Sequence, residues 1–540
     1  MDLDGSLSSS GAGIQAVPLV VAPSTRPDHR PSAAAVYTSL DAVAPTGLYP
    51  AIYDVLQHPA TTIRHIPSAA ILSVAVLLES LILDLVAHPS WETAHRFFCF
   101  PKLVLRAGRG GKGKSAQSAA DIVRRVRLFE NADLALLWSE LQIASPVRGV
   151  KPHRPTTRSQ TSVPGTSSDP QAADQLPQSM VDTIKGLVQE GAMGKAAKHL
   201  LSEGLADSTE PAIAEKLRLL HPTGTPVSLG DAYALPVHVS SGLSTGGTSD
   251  PDWARLVQDA ISSFPPGSAP GPSGLRPCHL RDCMRKPGQA SSLLQAITSL
   301  VTKAVEGLFP LGLAPLWCAS NLIPLAKKDV GVRPIAVGDT FRRLMGKVLL
   351  KAPLVQTQSA SLRPRQTGVG VPMACDLISM GVQSVAQSTD TDWVVLQIDM
   401  RNAFNSVSRQ SMLEVARAKV PSTYNWLAWC YATPCPLFCQ GKLLTYSSQG
   451  VHQGDAMGPL GFSLGLEQVL DRCALPQSCL TWSAWYLDDG VAVGSLSAIS
   501  NYLNTIHEEA AKAGLSLNLA KCQLWVPGLK VLLADLRPSV

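Results

Sequence analysis

The sequence predicts an α+β fold, in which a mostly helical N-terminal region precedes a larger domain that mixes helices and strands. The first observation is a set of short runs rich in β-branched and aromatic residues, such as "DWVVLQIDM" and "LTWSAWYLDDGVAVG", which are typical of strands. The second is the helical spacing of apolar residues between these runs. The third is the region from about Tyr49 to Ile143, where we predict helices.

A chain of 540 residues is too long for one ordinary hydrophobic core, so we expect several segments. Changes in composition mark their boundaries, because stretches rich in Pro, Ser, Thr and Gly are typical of linkers. The predicted segments are a disordered start (1–45), a helical and basic region (46–144), a linker (145–180), a small helical piece with a second linker (181–250) and the domain of helices and strands (251–540).

The net charge of +5 is unevenly distributed along the chain. Thirteen Lys and Arg residues but only four Asp and Glu residues lie between Arg96 and Arg158, and we call this stretch the basic block. A surface of this charge would attract a polyanion such as nucleic acid. Solvated basic loops are also common, and they are the alternative interpretation.

The stretch from Ile66 to Ala87 is long and apolar enough to raise the question of a membrane span. Glu79 and Asp84 would then lie in lipid, where a central Asp costs about 2.5–3.5 kcal/mol, so we predict a buried helix and no membrane partner. The N-terminus has early acids and no basic stretch before an apolar core, unlike a secretory signal. Eleven cysteines without a CxxC pair are typical of reduced thiols, so we expect an intracellular protein, nuclear or cytoplasmic.

One segment of the basic block, "GRGGKGKS" from Gly108 to Ser115, fits the phosphate-binding loop pattern GxxxxGK[ST]. In such loops the backbone N–H groups and the Lys contact phosphates, and the Ser or Thr contacts Mg²⁺. A later apolar strand that ends in Asp is missing from the surrounding pattern. We therefore favour a flexible basic loop that contacts nucleic acid backbone, with nucleotide hydrolysis as the alternative.

Three carboxylates accompany strand-like runs in the C-terminal domain. Asp399 ends "VVLQID", and Asp488 and Asp489 interrupt "AWYLDDGVAV". A lone Asp at such a position is commonly a helix cap or a turn residue. Two such strands can pair so that their acids converge, and the acids would then raise one another's pKa unless cations neutralise them. Two Mg²⁺ ions held by carboxylates support phosphoryl transfer, so we predict nucleotidyl transfer.

Several motifs occur in an order that resembles a known family. They are "APGPSGLRPCHLRDCM", "NLIPLAKKDVGVRPIAVGDTFRRLMGKVL", "QTGVG", "QIDMRNAFNSV", "GVHQGDAMGPLGFSLGLEQVL", "YLDDG" and "AGLSLNLAKCQLW". From about Ala269 to Trp525 the chain resembles reverse transcriptases of the non-LTR, LINE-like retrotransposon type. The resemblance implies a right-hand polymerase fold, with fingers at 251–370 and a palm at 371–540 whose antiparallel sheet is backed by helices. It also leads us to expect a chain truncated after the palm, with the thumb subdomain missing.

The resemblance implies catalytic roles for four residues. Asp399 and Asp488 would be metal ligands, with Asp489 beside them as a further acid at the metal site. Lys521 would protonate the leaving pyrophosphate. The alternative for Lys521 is a surface cation at a helix end.

The resemblance also implies a nucleotide-binding set of six residues, namely Lys327, Lys328, Arg333, Phe404, Gln453 and Gly454. Lys327 or Lys328 would contact the incoming triphosphate together with Arg333. The ring of Phe404 would exclude a ribose 2′-hydroxyl, and the Gln-Gly pair would lie near the base pair and template. The alternative for Phe404 is a core residue. The alternative for Lys328 and Arg333 is a pair of solvated residues at a turn.

The function predicted from these motifs is RNA-directed DNA polymerase. The resemblance implies two Mg²⁺ ions, with Mn²⁺ as a substitute, and an RNA template, a DNA primer and dNTPs as partners. Ala456 and Met457 stand where family members often have Pro-Leu, and we recognise no endonuclease pattern. The alternative function is a catalytically silent, nucleic-acid-binding remnant of a retroelement.

Overall fold

The structure is a computed structural model. It describes residues 49–108, 118–144, 178–189, 204–229, 252–327, 331–387, 393–474, 480–526 and 529–532. The helices before residue 250 are α1 (Ile52–Gln57), α2 (Ile71–Ala87), α3 (Trp91–Val104), α4 (Ala119–Glu130), α5 (Leu134–Ala144), α6 (Gln178–Gln189) and α7 (Pro211–Leu219).

Helices and strands alternate in the remainder of the described chain. The helices are α8 (Trp253–Ser262), α9 (Pro277–Cys283), α10 (Pro287–Val305), α11 (Ala314–Cys318), α12 (Thr340–Lys351), α13 (Pro353–Ser359), α14 (Ala374–Ala386), α15 (Ala403–Ser406), α16 (Arg409–Lys419), α17 (Tyr424–Tyr431), α18 (Gly458–Cys473) and α19 (Leu496–Lys512). The strands are β1 (Ser320–Ala326), β2 (Val332–Gly338), β3 (Val394–Ile398), β4 (Cys435–Cys439), β5 (Lys442–Ser447), β6 (Trp482–Tyr486), β7 (Asp489–Gly494), β8 (Gln523–Val526) and β9 (Leu529–Leu532).

The strands form two sheets that are almost entirely antiparallel. One sheet has the order β2-β1-β4-β5 and the other the order β6-β7-β3-β8-β9. The single parallel pairing among these strands joins β1 to β4 over two residue pairs. This arrangement confirms the predicted α+β class, with an antiparallel sheet in the region expected to form the palm.

Helix α2 occupies most of the stretch that raised the membrane question. One of its faces is buried, including Leu78, Leu81 and Leu85, whereas Asp84 is exposed. Glu79 accepts a hydrogen bond from the Ser292 hydroxyl of α10 at 2.9 Å. None of the described helices combines the length and the apolarity that a membrane crossing requires.

The N-terminal helices share one hydrophobic core with the domain of helices and strands. Polar contacts join the two regions at the residues before α2. The Thr62 hydroxyl donates to the Gly274 carbonyl at 2.6 Å, and the Ile66 N–H donates to the buried carboxylate of Asp282 at 2.9 Å. Helices α1 to α5 are therefore an integral part of the fold around the sheets.

Residues 204–229 also pack on the sheets. The Ala206 N–H donates to the Pro324 carbonyl of β1 at 3.0 Å, which extends that strand's pairing. Further along, the Gly224 N–H donates to the Ser448 hydroxyl at 3.0 Å. Although we predicted a small helical piece and a linker between residues 181 and 250, this part of the segment is docked against the domain.

Candidate active site

Asp399 follows directly after β3, the central strand of the five-stranded sheet. Its position is fixed by Asn518, whose backbone N–H donates to the Asp399 carbonyl at 2.8 Å and whose side-chain amide donates to Oδ1 at 2.7 Å. In the antiparallel pairing of β3 with β7, Ile398 lies opposite Gly490. Continued by one residue, this register places Asp399 opposite Asp489.

Asp488 lies at the tip of the hairpin between β6 and β7. Tyr486 pairs with Asp489, so Leu487 and Asp488 form a two-residue turn. Leu487 has a φ of 57°, in the left-handed region that a residue other than glycine adopts only when its surroundings hold it there. The hairpin therefore carries one acid in its turn and the next acid at the start of β7.

The three carboxylates influence one another electrostatically. Burial raises the pKa of Asp488, and the charges of Asp489 and Asp399 raise it further, while the Arg333 guanidinium acts in the opposite direction. The pKa of Asp489 is raised by burial and by Asp399. Negative charge is thus concentrated at this end of the sheet, where a bound cation would relieve the repulsion.

The donor chemistry of these carboxylates fits a divalent cation. Carboxylate oxygens are the hard ligands that Mg²⁺ prefers, and the pKa values of Asp488 and Asp489 are raised, mainly by burial and further by the charge of Asp399. Among the described residues, however, no three His, Cys, Asp or Glu side chains approach closely enough to hold one metal ion together. The predicted acids therefore lie at the same end of the sheet, but they are not arranged around a single metal position.

The predicted triphosphate contacts lie at the turn between β1 and β2. Lys327 follows β1, and its N–H donates to the Gly331 carbonyl at 3.0 Å. Arg333 is exposed on β2 and is close enough to Asp488 to affect its pKa. Lys328 is outside the described residues. Lys521 is exposed in the turn before β8, where its N–H donates to the Asn518 carbonyl at 2.8 Å.

Phe404 lies in the short helix α15, five residues after Asp399. Its ring stacks on that of Phe462 in α18, with the ring centroids 4.8 Å apart and the planes at 11°. Phe404 is partly exposed, whereas Phe462 is fully buried behind it. Phe462 was not predicted from the sequence, because its contact with Phe404 joins two separate motifs.

Gln453 and Gly454 lie in the loop before α18 and contact β2. The Ala336 N–H of β2 donates to the Gln453 carbonyl at 2.8 Å. Gly454 has a φ of 115°, and a Cβ at this residue would come within 2.7 Å of the Ala336 carbonyl. The close approach of loop and strand therefore requires glycine.

A buried network that the sequence analysis missed anchors this loop. The Arg342 guanidinium donates to Asp455 Oδ2 at 2.7 Å, and the Tyr431 hydroxyl donates to the same oxygen at 2.7 Å. Burial and the guanidinium groups of Arg342 and Arg409 lower the pKa of His452, so its ring is neutral. The network connects α12, after the β1–β2 hairpin, to α17 and to the loop before α18.

Most described cations of the basic block are engaged within the protein. The Lys102 ammonium is buried and donates to three carbonyl groups at the end of α1, those of Val55, Leu56 and His58. Arg106 and Arg124 pair with Glu140 at 2.5 and 2.9 Å, and Arg125 is buried. This part of the block therefore stabilises the helical region. The phosphate-loop pattern lies almost entirely outside the described residues, since only Gly108 is included.

Comparisons with known proteins match the C-terminal domain. The family model described as reverse transcriptase (RNA-dependent DNA polymerase) matches residues 325–532. The retrotransposable element SLACS 132 kDa protein of Trypanosoma brucei gambiense is 25% identical over 214 residues. The match covers 38% of this chain and 17% of that protein, so the chain spans well under a fifth of the length of that relative.

Proposed function

We propose that residues 325–532, which match the reverse transcriptase family model and a retrotransposable element protein, catalyse RNA-directed DNA synthesis. The observation that carries the proposal is the placement of the acids. Asp399 follows the central strand of the sheet, and Asp488 and Asp489 lie in the neighbouring hairpin with pKa values raised by burial and by the charge of Asp399.

Asp399, Asp488 and Asp489 would hold the divalent cations, two Mg²⁺ ions for which Mn²⁺ can substitute. Bound there, the cations would stabilise charge on the attacking and leaving oxygens of the transferred nucleotide. Asp488 is the essential ligand in this account, because it is the more buried of the two adjacent acids. Asn518 holds the Asp399 carboxylate in place through the hydrogen bond to Oδ1.

The fingers would supply the positive charge for the triphosphate. Lys327 and Arg333 lie beside the β1–β2 turn, Lys328 follows Lys327 in the sequence, and the influence of Arg333 on the pKa of Asp488 supports a site between that turn and the hairpin. A guanidinium suits this task, since it offers several donors to phosphate oxygens. Lys521 would donate a proton to the leaving pyrophosphate.

Phe404 would select the sugar of the incoming nucleotide, with its ring in the space that a 2′-hydroxyl needs. Stacking on the buried Phe462 ring supports this role, because it restrains the position of the Phe404 ring. Gln453 and Gly454 would contact the base pair and template. The partners in this proposal are an RNA template, a DNA primer and dNTPs.

A primer-extension assay tests the proposal. The native protein should extend a DNA primer on an RNA template with dNTPs and Mg²⁺, and Asp488→Asn should abolish extension. Asp84→Asn, which changes an exposed acid on α2, is the matched control and should extend as the native protein does. Equal extension by native and Asp488→Asn proteins would contradict the proposal.

The alternative is a catalytically silent protein that binds nucleic acid. The excess of Lys and Arg in the basic block motivates this alternative. It predicts RNA binding that weakens with salt and survives the Asp488→Asn substitution, together with no extension by the native protein.

A further inference from the structure

The tip of the acid-bearing hairpin contacts one buried glutamine from a distant part of the sequence. Gln366 has no exposed surface, and its side-chain amide bonds both backbone groups of Leu487. Its Oε1 accepts from the Leu487 N–H at 2.8 Å, and its Nε2 donates to the Leu487 carbonyl at 3.2 Å. Oε1 also accepts from the Gly368 N–H at 3.0 Å.

We propose that Gln366 is a positioning residue that fixes the turn carrying Asp488, so that this carboxylate faces Asp399 ready for a divalent cation. The inference rests on the proposed function. Leu487 immediately precedes Asp488 and holds the left-handed conformation, which is unfavourable in a residue with a Cβ. The two hydrogen bonds to the Gln366 amide compensate that cost and define one geometry for the turn.

The backbone around Gln366 reinforces the contact. The Thr367 N–H donates to the Trp485 carbonyl at 2.8 Å, and the Trp485 N–H donates to the Arg365 carbonyl at 2.7 Å. These bonds form a short parallel bridge along the outer edge of β6. The hairpin is therefore held by backbone pairing on the edge opposite β7, directly before the turn.

Gly368 allows the segment to approach the turn. A Cβ at this residue would come within 2.7 Å of both the backbone nitrogen and the side chain of Leu487. Any larger residue would therefore displace Leu487 or the segment itself. This contact gives a physical reason for glycine two residues after Gln366.

Ion pairs anchor the segment to the long helix α18. Arg365 donates to the buried Glu467 at 2.9 Å and to Asp471 at 2.5 Å. Lys419 joins the same two carboxylates at 2.7 and 2.9 Å. The position of the Asp488 turn is therefore linked through Gln366 and Arg365 to the helix that follows the Gln-Gly loop.

Gln366→Glu is the sharpest substitution, because a carboxylate matches the amide in shape and accepts hydrogen bonds but cannot donate one while ionised. The Leu487 carbonyl would then lose its hydrogen-bond donor. Gln383→Glu makes the same change on the exposed surface of α14 and is the matched control. Gly368→Ala displaces the same turn without a change in charge.

The experiment measures the Mg²⁺ concentration for half-maximal primer extension and the Mg²⁺-induced rise in melting temperature. Gln366→Glu and Gly368→Ala should each raise the half-maximal concentration about tenfold or more, the range seen when a residue that orients a metal ligand is lost. Both should also reduce the Mg²⁺-induced rise in melting temperature. Gln383→Glu should behave as the native protein does in both measurements.

Two outcomes decide the proposal. Unchanged Mg²⁺ dependence in a folded Gln366→Glu protein would overturn it, and if that variant does not fold, unchanged dependence in Gly368→Ala would do so. Failure of the proposed function looks different, because the native protein itself would then extend no primer. The melting measurement still tests the link between Gln366 and cation binding in that case.

Discussion

Asp488 and Asp489 are neighbours in sequence but lie in different surroundings. Asp488 is partly buried in the turn, whereas Asp489 is exposed at the start of β7. Burial is the largest cause of the raised pKa of Asp488, followed by the charges of Asp489 and Asp399. The ionised turn is therefore unfavourable for the folded protein unless a cation is bound.

The greater burial of Asp488 predicts that Asp488→Asn stabilises the folded protein when no divalent metal is present. A carboxyl group with a raised pKa in the folded state destabilises that state at pH values above the raised pKa, where it must ionise. At pH 7 the melting temperature of Asp488→Asn should exceed that of the native protein by roughly 2 °C. The difference should begin to shrink as the pH falls below the raised pKa and should disappear below the ordinary pKa of an aspartate, and Asp489→Asn should show a smaller effect. A lower melting temperature for Asp488→Asn at pH 7 would contradict the electrostatic account.

The stacked pair of Phe404 and Phe462 predicts a second effect at single residues. Phe462→Leu removes the ring on which Phe404 stacks, so the Phe404 ring gains room to move away from a ribose 2′-hydroxyl. Because an aromatic pair contributes about 0.5–1.5 kcal/mol, discrimination against ribonucleotides should fall by up to roughly tenfold. Incorporation of rNTPs relative to dNTPs measures this effect. Phe309→Leu, in another aromatic cluster, is the control and should leave the ratio unchanged.

At the scale of elements, the buried ion pair of Arg342 and Asp455 connects α12 to the loop before α18. Asp455→Asn removes the charge that compensates a fully buried guanidinium. Breaking such a pair costs about 3–5 kcal/mol, so the midpoint of urea unfolding should decrease clearly. Glu215→Gln breaks an exposed ion pair with Arg218 and should change stability by less than about 1 kcal/mol. Equal effects of the two substitutions would show that the buried pair does not hold these elements together.

The elements also show what the sequence could and could not predict. The strands before Asp399 and around Asp488 were predictable, because each is a short run of β-branched or aromatic residues next to an acidic residue. The contact of Gln366 with Leu487 was not predictable, since it joins residues 121 positions apart. The same applies to the Arg342 network, which assembles side chains from α12, α17 and the loop before α18.

In the described part of the basic block, charge patterning did not indicate which cations face solvent. We expected the basic block to offer a surface to a polyanion, yet Lys102, Arg106 and Arg125 are buried in its described part. Burial even lowers the pKa of Lys102 to about 7. The cations can be counted from the sequence. The packing of helices α1 to α5 determines which of them donate to carbonyl groups or pair with Glu140.

At the scale of the whole molecule, the N-terminal helices and the domain of helices and strands share one core. Deletion of residues 1–144 would expose the apolar surface of α10 and break the contacts with Gly274 and Asp282. We therefore expect the shortened chain to lose its cooperative unfolding transition, as followed by tryptophan fluorescence in urea. Deletion of residues 1–45, which the composition predicts to be disordered, is the control and should leave the transition unchanged. A cooperative transition in the 145–540 chain would contradict the shared core.

Single-nucleotide incorporation tests the central claim of RNA-directed synthesis most directly. Four RNA templates that differ only in the first templating base would each be offered the four dNTPs separately, with Mg²⁺ and a DNA primer. The native protein should add only the complementary dNTP on each template, and Asp488→Asn should add none. Addition that ignores the templating base, or equal addition by the Asp488→Asn protein, would contradict the assignment of these acids to a reverse transcriptase active site.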